Sequence, residues 1–337
     1  MSDSDAGPDD VPYDVRVVDL AGLRGDAVLA AHLATSRGPL WRVEALSAME
    51  EETRNRVWLA VATRSGPAGD ALVAGILLER VLLAGGIGHV HHPHSGSEPS
   101  YWSEPGHRGA LPLLVGALRR RLGPRMPALL WRQVGDDDVA SGLPGRRLVQ
   151  QTTLPLGVVD LDRADAEAWL QSLGRSRRQD LRRLRRRLAE DVDLDVTQGP
   201  LAEVAKGEEV APLLDANFSK HNPRRHPLMN RPAPAAWLDV AMADHDLQAV
   251  AYRDRGVLSA VGLMSTHRGV SRWLSWGADY EGAADRRGLY YDCTRRIVEL
   301  SYAAASTTLV LGKGKGELKS SFGARLEGQR AVVRTPI

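Results

Sequence analysis

The chain has 337 residues, 43% hydrophobic and 26% charged, the balance of a folded globular protein of about two domains, which excludes a chain disordered throughout, a collagen and a coiled coil. Its single cysteine, Cys293, excludes a disulfide framework and any multi-cysteine zinc site. The apolar run Ala71–Leu78 stops at Glu79 and Arg80, far short of the ~20 residues that span a bilayer, and the acidic start Met1–Asp5 lacks a signal-peptide core, so a cytoplasmic protein is expected.

Charge is unevenly placed. Residues 1–100 carry 8 Arg against 14 Asp and Glu, whereas residues 101–337 carry 36 Lys and Arg against 28 Asp and Glu. Eight arginines fall between Arg175 and Arg187, and three of only five lysines (Lys313, Lys315, Lys319) fall within seven residues. Such a basic half suits a polyanionic partner, or is a solvated helix face.

In chain order, residues 1–11 read as a disordered tail. Tyr13–Val18 alternates as a strand and Ala21–Leu33 reads as a helix. Val57–Thr63 and Ala71–Leu78 are apolar strands joined by the turn 65–69. Gly86–His91 is a further strand, Leu111–Leu122 a helix, Ala128–Val134 a strand, and Arg147–Val159 a strand-rich stretch closing a first unit, 12–159. A second unit, 160–337, opens with helices at Ala164–Leu173 and Ser176–Glu190. In the latter, Leu181, Leu184 and Leu188 form one stripe and arginines cover the rest. A strand at Val192–Val196, helices near Val210–Ser219 and Ala235–Met242, and strands at Leu247–Tyr252, Val257–Thr266 and Arg272–Ala278 follow. The chain closes with a helix at Leu289–Ala304 and strands at Thr308–Leu311 and Ala331–Arg334. Both units mix strands and helices, which predicts α/β layers.

The halves echo each other. His107-Arg108-Gly109 opens a helix in the first, and Arg286-Arg287-Gly288 opens one in the second, each with a strand after the helix. A basic residue and a glycine at a helix start suit an anion, with Gly288 allowing close approach; plain capping is the alternative.

These turns resemble the acyl-CoA pyrophosphate signature of the GNAT acyltransferases, and two copies in one chain resemble the tandem-GNAT, Fem-like transferases. Leu173–Arg182 is similar to the basic helix opening the second Fem domain. Gly277–Glu281 with Leu289-Tyr290-Tyr291 is similar to the family's strand-to-helix crossing. Leu318-Lys319-Ser320-Ser321-Phe322-Gly323 resembles its Phe-Lys-x-x-Phe-Gly motif, with Leu318 in place of the first aromatic. The resemblance implies two tandem GNAT-like α/β domains, each a mixed sheet flanked by helices. It also implies an N-acyltransferase that moves an aminoacyl group from aminoacyl-tRNA to the amine of a small molecule or peptide, in antibiotic assembly or peptidoglycan synthesis, with no cofactor beyond the charged tRNA. An acyl-CoA donor and a non-catalytic RNA-binding protein are the alternatives.

Aminolysis of an ester needs two reactants held in line, a deprotonated amine and a stabilised oxyanion, and no covalent nucleophile. Cys293 accordingly reads as a structural thiol. From the resemblance, Lys319 contacts the tRNA 3′ end and favours the oxyanion, and Lys319→Ala is expected to abolish turnover with the melting curve nearly unchanged. Phe322 belongs to the same motif. Lys313 and Lys315, set between glycines, form either a phosphate-wrapping loop or a flexible turn. Arg287 and Gly288 supply the anion turn. Arg177, Arg178, Arg182 and Arg185 are the candidate phosphate-backbone surface. Asp279 either positions and deprotonates the acceptor amine or forms a turn. Acceptor contacts are expected from Trp41, Tyr101 and Trp102 in the first half, from the basic loop with Lys220, His221, Arg224 and Arg225, and from Trp276, Tyr290 and Tyr291. His89 and His91 share one face of a strand, a spacing that chelates metal, but no carboxylate adjoins them in sequence and Pro93 breaks the strand, so no metal is expected.

Overall fold

The computed structural model describes residues 12–53, 55–66, 69–80, 87–92, 99–123, 126–136, 143–221, 235–242, 247–280 and 286–335. The first half runs β1 (Asp14–Asp19), α1 (Leu20–Gly25), α2 (Ala27–Arg37), a 3-10 turn (Pro39–Trp41), α3 (Val43–Thr53), β2 (Arg56–Gly66), β3 (Gly69–Arg80), β4 (Gly88–Val90), β5 (Tyr101–Ser103), α4 (Ala110–Leu122), β6 (Leu129–Gly135) and β7 (Arg147–Asp160). The second runs α5 (Ala166–Ser172), α6 (Arg175–Glu190), β8 (Leu194–Pro200), α7 (Leu201–Val204), α8 (Gly207–His221), α9 (Ala235–Met242), β9 (Leu247–Asp254), β10 (Val257–His267), β11 (Val270–Ala278), α10 (Leu289–Ala303), β12 (Thr308–Lys313), α11 (Gly316–Ser321) and β13 (Arg325–Arg334).

Two expected boundaries moved for local reasons. The helix expected over Ala21–Leu33 is two helices, because the Asp26 carboxylate accepts from the Leu29 amide and starts a second helix. The last strand is longer than Ala331–Arg334. Its polar first half, from Arg325, lacks an apolar alternation but pairs with β7, and β6 joins its other edge from Gln329.

All strands join one sheet in the order β1-β2-β3-β4-β6-β13-β7-β12-β11-β10-β9-β8, with β5 added to β3. The topology is duplicated. In the first half four strands run antiparallel up to β4, then the connection through α4 makes β6 parallel to β4. In the second, β8 to β11 are antiparallel and the connection through α10 makes β12 parallel to β11. The halves then exchange strands: β13 pairs with β6, β7 pairs with β12, and β7 and β13 pair with each other. The position 159/160 falls at the end of β7, and each half is completed by a strand from the other.

Three apolar cores follow. α4 packs Leu111, Leu114, Val115 and Leu118 on one face of the first half. α5, α6, α10 and α11 cover the corresponding face of the second. On the opposite face one core runs across both halves, from Leu33 and Trp41 to Leu214, Trp237 and Val261. Nearly every residue of β10 is buried, because α8 and α10 cover its two sides, which suits its near-continuous apolar run.

Gly277 sets how closely α8 approaches. A Cβ there would lie 2.7 Å from the Leu213 carbonyl carbon and 2.8 Å from the Leu214 nitrogen, backbone atoms that cannot swing aside. Gly277→Ala is therefore expected to destabilise the protein by about 1–3 kcal/mol, read as a lower urea midpoint with an unchanged m-value.

Candidate functional site

The sequence candidates converge where β11, α8, α10 and the turn after β12 meet. Trp276 on β11 lies 5.6 Å from Tyr290 at the start of α10, ring centre to ring centre, and Tyr290 stacks on Trp273 at 4.9 Å. Tyr280 donates its hydroxyl to Asn217 of α8 at 2.5 Å. Two ammonium groups sit on this aromatic wall: Lys220 Nζ is 3.5 Å from the centre of the Tyr280 ring and Lys315 Nζ is 4.2 Å from that of Tyr290. Burial, with the Lys220 charge, holds the Lys315 pKa below its ordinary value. Tyr290 is pushed well up, mainly by burial, so it remains a neutral hydroxyl.

The turn 312–316 is shaped by backbone. Gly312, Gly314 and Lys315 all have positive φ (77°, 76° and 50°), and Lys315 caps α11 in the left-handed region, a conformation that costs a lysine more than it costs glycine. Lys319 accounts for its persistence. Its Nζ donates to the Gly312 carbonyl at 2.6 Å and the Lys313 carbonyl at 2.9 Å, and the side chain is 4% exposed. The ammonium expected to face the reacting ester instead points into the turn, where two backbone carbonyls accept from it. Burial, assisted by Lys315, lowers its pKa to about 8. A melting curve unchanged by Lys319→Ala is therefore no longer expected. Lys313 is half-buried, with Nζ 3.3 Å from Thr153 Oγ1. Burial and then the Arg132 charge bring its pKa to about 8.

Phe322 follows α11, buried at 1% exposure, stacked with Trp169 and near Tyr291. Arg177 lies 5.0 Å over both Tyr291 and Phe322 and donates Nε to Ser321 Oγ. It borders a cleft of about 620 Å³ lined by Ser172, Gly174, Arg175, Arg177, Ser320 and Ser321. Contacts thus run from this cleft through Arg177, Tyr291 and Tyr290 to Lys315.

Other candidates lie elsewhere. Arg178 donates to the Gln171 and Leu173 carbonyls and closes the end of α5. Arg182 is exposed and 3.7 Å from Glu167, and Arg185 is exposed. Arg287 is exposed, and its carbonyl accepts from Arg187 of α6. Gly288 starts α10 with φ +98° and no side-chain cap, its α-carbon facing Leu184. Arg286 is held by Asp191 and Asp254. Asp279 is exposed at the end of β11, its amide bonded to the Ser259 carbonyl. Trp41, Tyr101 and Trp102, expected at the acceptor, are core rings at most 7% exposed, Trp41 packing on Trp102 in the core shared by both halves and Tyr101 on Trp131 in that of the first. Their large apolar rings gain more from burial than from a loop position. Lys220 and His221 end α8, whereas Arg224 and Arg225 lie outside the described residues. Cys293 is buried beneath Gly262, its thiol pKa raised well above the ordinary value by burial.

Sequence reasoning missed Tyr280 and Asn217. Tyr280 sits inside the Gly277–Glu281 motif, which was the available signal. It also missed Glu79, which β3 places directly opposite His89 of β4. There His91 Nε2 is 3.4 Å from Glu79 Oε2 and Asn55 donates to Glu79 Oε1 at 2.7 Å. Burial lowers the His89 pKa to about 2 and that of His91 well below its usual range, so both imidazoles are uncharged at neutral pH.

Residues 175–320 match the acetyltransferase (GNAT) domain family. Among solved structures, the chain resembles FemX at 10% identity and a TM-score of 0.56, over 94% of this chain and 96% of that one. It also resembles the C-terminal domain of a putative lysylphosphatidylglycerol synthetase from Agrobacterium fabrum, at 14% identity and a TM-score of 0.55, over 92% of each chain. No curated protein sequence matches. At these identities the likeness is one of fold. The fold so defined is that of the GNAT acyltransferases. Within it, the sheet of this chain is duplicated. Among the described residues no helix is long and apolar enough to cross a membrane.

Proposed function

We propose that this chain is an N-acyltransferase that moves an aminoacyl group from aminoacyl-tRNA onto the amine of a small molecule or peptide. The observation that carries the reading is the aromatic wall bearing two ammonium groups, Lys220 over Tyr280 and Lys315 over Tyr290. Unpaired bases stack on aromatic faces and phosphates seek such cations, so a single-stranded tRNA 3′ end suits it. The cleft at Arg175 and Arg177 continues the basic surface.

In the reaction the acceptor amine attacks the ester carbonyl, the amide C–N bond forms, and the ester C–O bond breaks as the ribose hydroxyl leaves with a proton. Lys313, with a pKa near 8, takes the proton from the attacking amine, and Lys315 faces the developing oxyanion. Lys319 acts through the turn rather than on the substrate. Because the neutral form of Lys313 is the active one, kcat/KM rises as pH passes through about 8. Lys313→Arg keeps the charge but cannot lose it at these pH values, so it is expected to flatten this limb and lower kcat/KM by about 100-fold or more.

Supplying charged tRNA or acyl-CoA with mixed amines, with and without RNase, tests the donor. The expected product requires charged tRNA and disappears with RNase. A CoA-dependent, RNase-resistant product would establish the second reading, an acyl-CoA donor, which the match of residues 175–320 to the acetyltransferase domain favours. RNA binding with no product from any donor would remove catalysis.

A further inference from the structure

A second cluster lies outside this site. Glu79 faces His89 across the β3–β4 pairing, and His91, just past the end of β4, lies beside His89. Glu79 is 8%, His89 1% and His91 3% exposed. The two imidazole rings lie 4.3 Å apart, centre to centre. One ligand atom from each of the three residues falls within 4.8 Å of the other two. Asn55 fixes one Glu79 oxygen, which leaves Oε2 turned to His91.

The polar accounting inside this cluster does not close. His89 Nε2 and His91 Nδ1 are buried without a hydrogen-bond partner among the described residues. A buried nitrogen left unsatisfied costs about 1–3 kcal/mol, and two on alternate residues at the end of one short strand, beside a buried carboxylate, is a costly way to fill a core. A metal ion held by His89 Nε2 removes the first of these costs. Zinc takes His nitrogen and carboxylate oxygen at about 2.0–2.2 Å in a tetrahedron, which puts ligands about 3.3 Å apart. The His91 Nε2 to Glu79 Oε2 separation is 3.4 Å.

We propose that Glu79, His89 and His91 form a binding site for a divalent transition-metal ion, zinc by fit, with its fourth position open to water or another small oxygen ligand. The ligand set is nitrogen and oxygen without thiolate, which suits zinc or cobalt and not the sulfur-seeking metals. Asn55 is the outer partner that orients the carboxylate. Arg132 is the competitor. On β6, Leu130 lies opposite His89, so Arg132, two residues on, comes beside His91 on the same face, and the Glu79 charge acts on it. Without metal, Arg132 balances the carboxylate; with metal, it repels the dication. The site therefore has built-in weakness that a single substitution relieves. The proposal is independent of the donor and acceptor of the acyl transfer.

The test uses the full chain, dialysed against EDTA and then given Zn2+ alone, with bound metal measured after desalting. About one equivalent per chain is expected, and Co2+ in its place should give the visible d–d bands of a four-coordinate site. Glu79→Gln, which keeps the shape and an oxygen for Asn55, and His89→Ala should each weaken binding by about 100-fold or more. Arg132→Met should tighten it by about 10-fold or more. Should a ligand variant fail to fold, the Co2+ spectrum of the unaltered chain and the gain in Arg132→Met still decide. Binding well below one equivalent, a six-coordinate Co2+ spectrum, full binding in folded Glu79→Gln, or weaker binding in Arg132→Met would each overturn the proposal.

Discussion

Lys319→Met is expected to lower turnover by about 100-fold or more while keeping the aliphatic stem that lies over Gly157. The loss comes from the turn, not from the substrate. Without the ammonium, the carbonyls of Gly312 and Lys313 lose their donor, and Lys315, held at positive φ, is free to relax away from Tyr290. A shift of about 1 Å in such a positioning element costs about 100-fold. Stability also falls. Orphaned carbonyls cost about 1–3 kcal/mol each, offset in part because the buried ammonium itself is no longer paid for in desolvation. The net is a decrease in Tm of a few degrees. The sign with pH is distinctive. The Lys319 pKa is about 8 in the fold against 10.5 for the free side chain. The unfolded chain thus binds more protons between these values, and the fold gains stability as pH rises from about 8 to 10.5. Chemical denaturation at pH 8 and pH 10 should show less of this gain in Lys319→Met than in the unaltered chain. Equal pH dependence in the two would contradict the buried, turn-bound ammonium, and full turnover would remove Lys319 from any part in positioning.

Asp292→Ala is expected to cost about 3–5 kcal/mol, a large part of the 5–15 kcal/mol that holds a typical protein folded. Asp292 is 1% exposed on α10. It accepts from the Tyr252 hydroxyl at 2.9 Å, from Arg295 at 2.8 and 3.1 Å, and from Arg296 at 2.7 Å. Removing it leaves the Arg295 guanidinium, 5% exposed, with Glu299 as its remaining acid, and strips the buried Tyr252 hydroxyl. Burial pushes the Asp292 carboxyl pKa up, but the Arg295 and Arg296 charges outweigh it and hold it below the ordinary value. Its contribution is therefore present at neutral pH and lost as acid protonates it. Asp292→Asn should weaken the protein at pH 7 and blunt the fall in stability below pH 4. A melting curve for Asp292→Ala within a degree of the unaltered protein would show that the network is not structural. Because Tyr252 packs against Trp276, the folded fraction of either variant should also show lowered turnover.

Glycine and lysine around 312–319, the duplicated helix starts and the apolar alternation of most strands were legible because they depend on residues close in sequence. So was the class of fold, since a repeated order of elements is written along the chain. The site was legible only in part. Tyr290, Trp276, Lys315 and Phe322 were named, but not that Lys220 and Lys315 lie over aromatic rings, because α8 is brought to β11, and the turn before α11 to α10, by packing alone. The arginine helix was legible only as charge: the contacts by which Arg178 closes α5 and Arg177 covers Phe322 come from packing. The tryptophans of the first half carried no mark to distinguish a core ring from a binding ring.

By itself the sequence determined composition, the two amphipathic periods, the glycine-relaxed turn and the basic second half, each a matter of side-chain chemistry and local backbone freedom. Only the tertiary structure decided which strand completes which half, which way the Lys319 ammonium points, and that Glu79 joins two histidines. Strand exchange and cross-strand register bring together residues with no shared local period, and burial then decides whether a charge meets solvent, a carbonyl or another buried ligand.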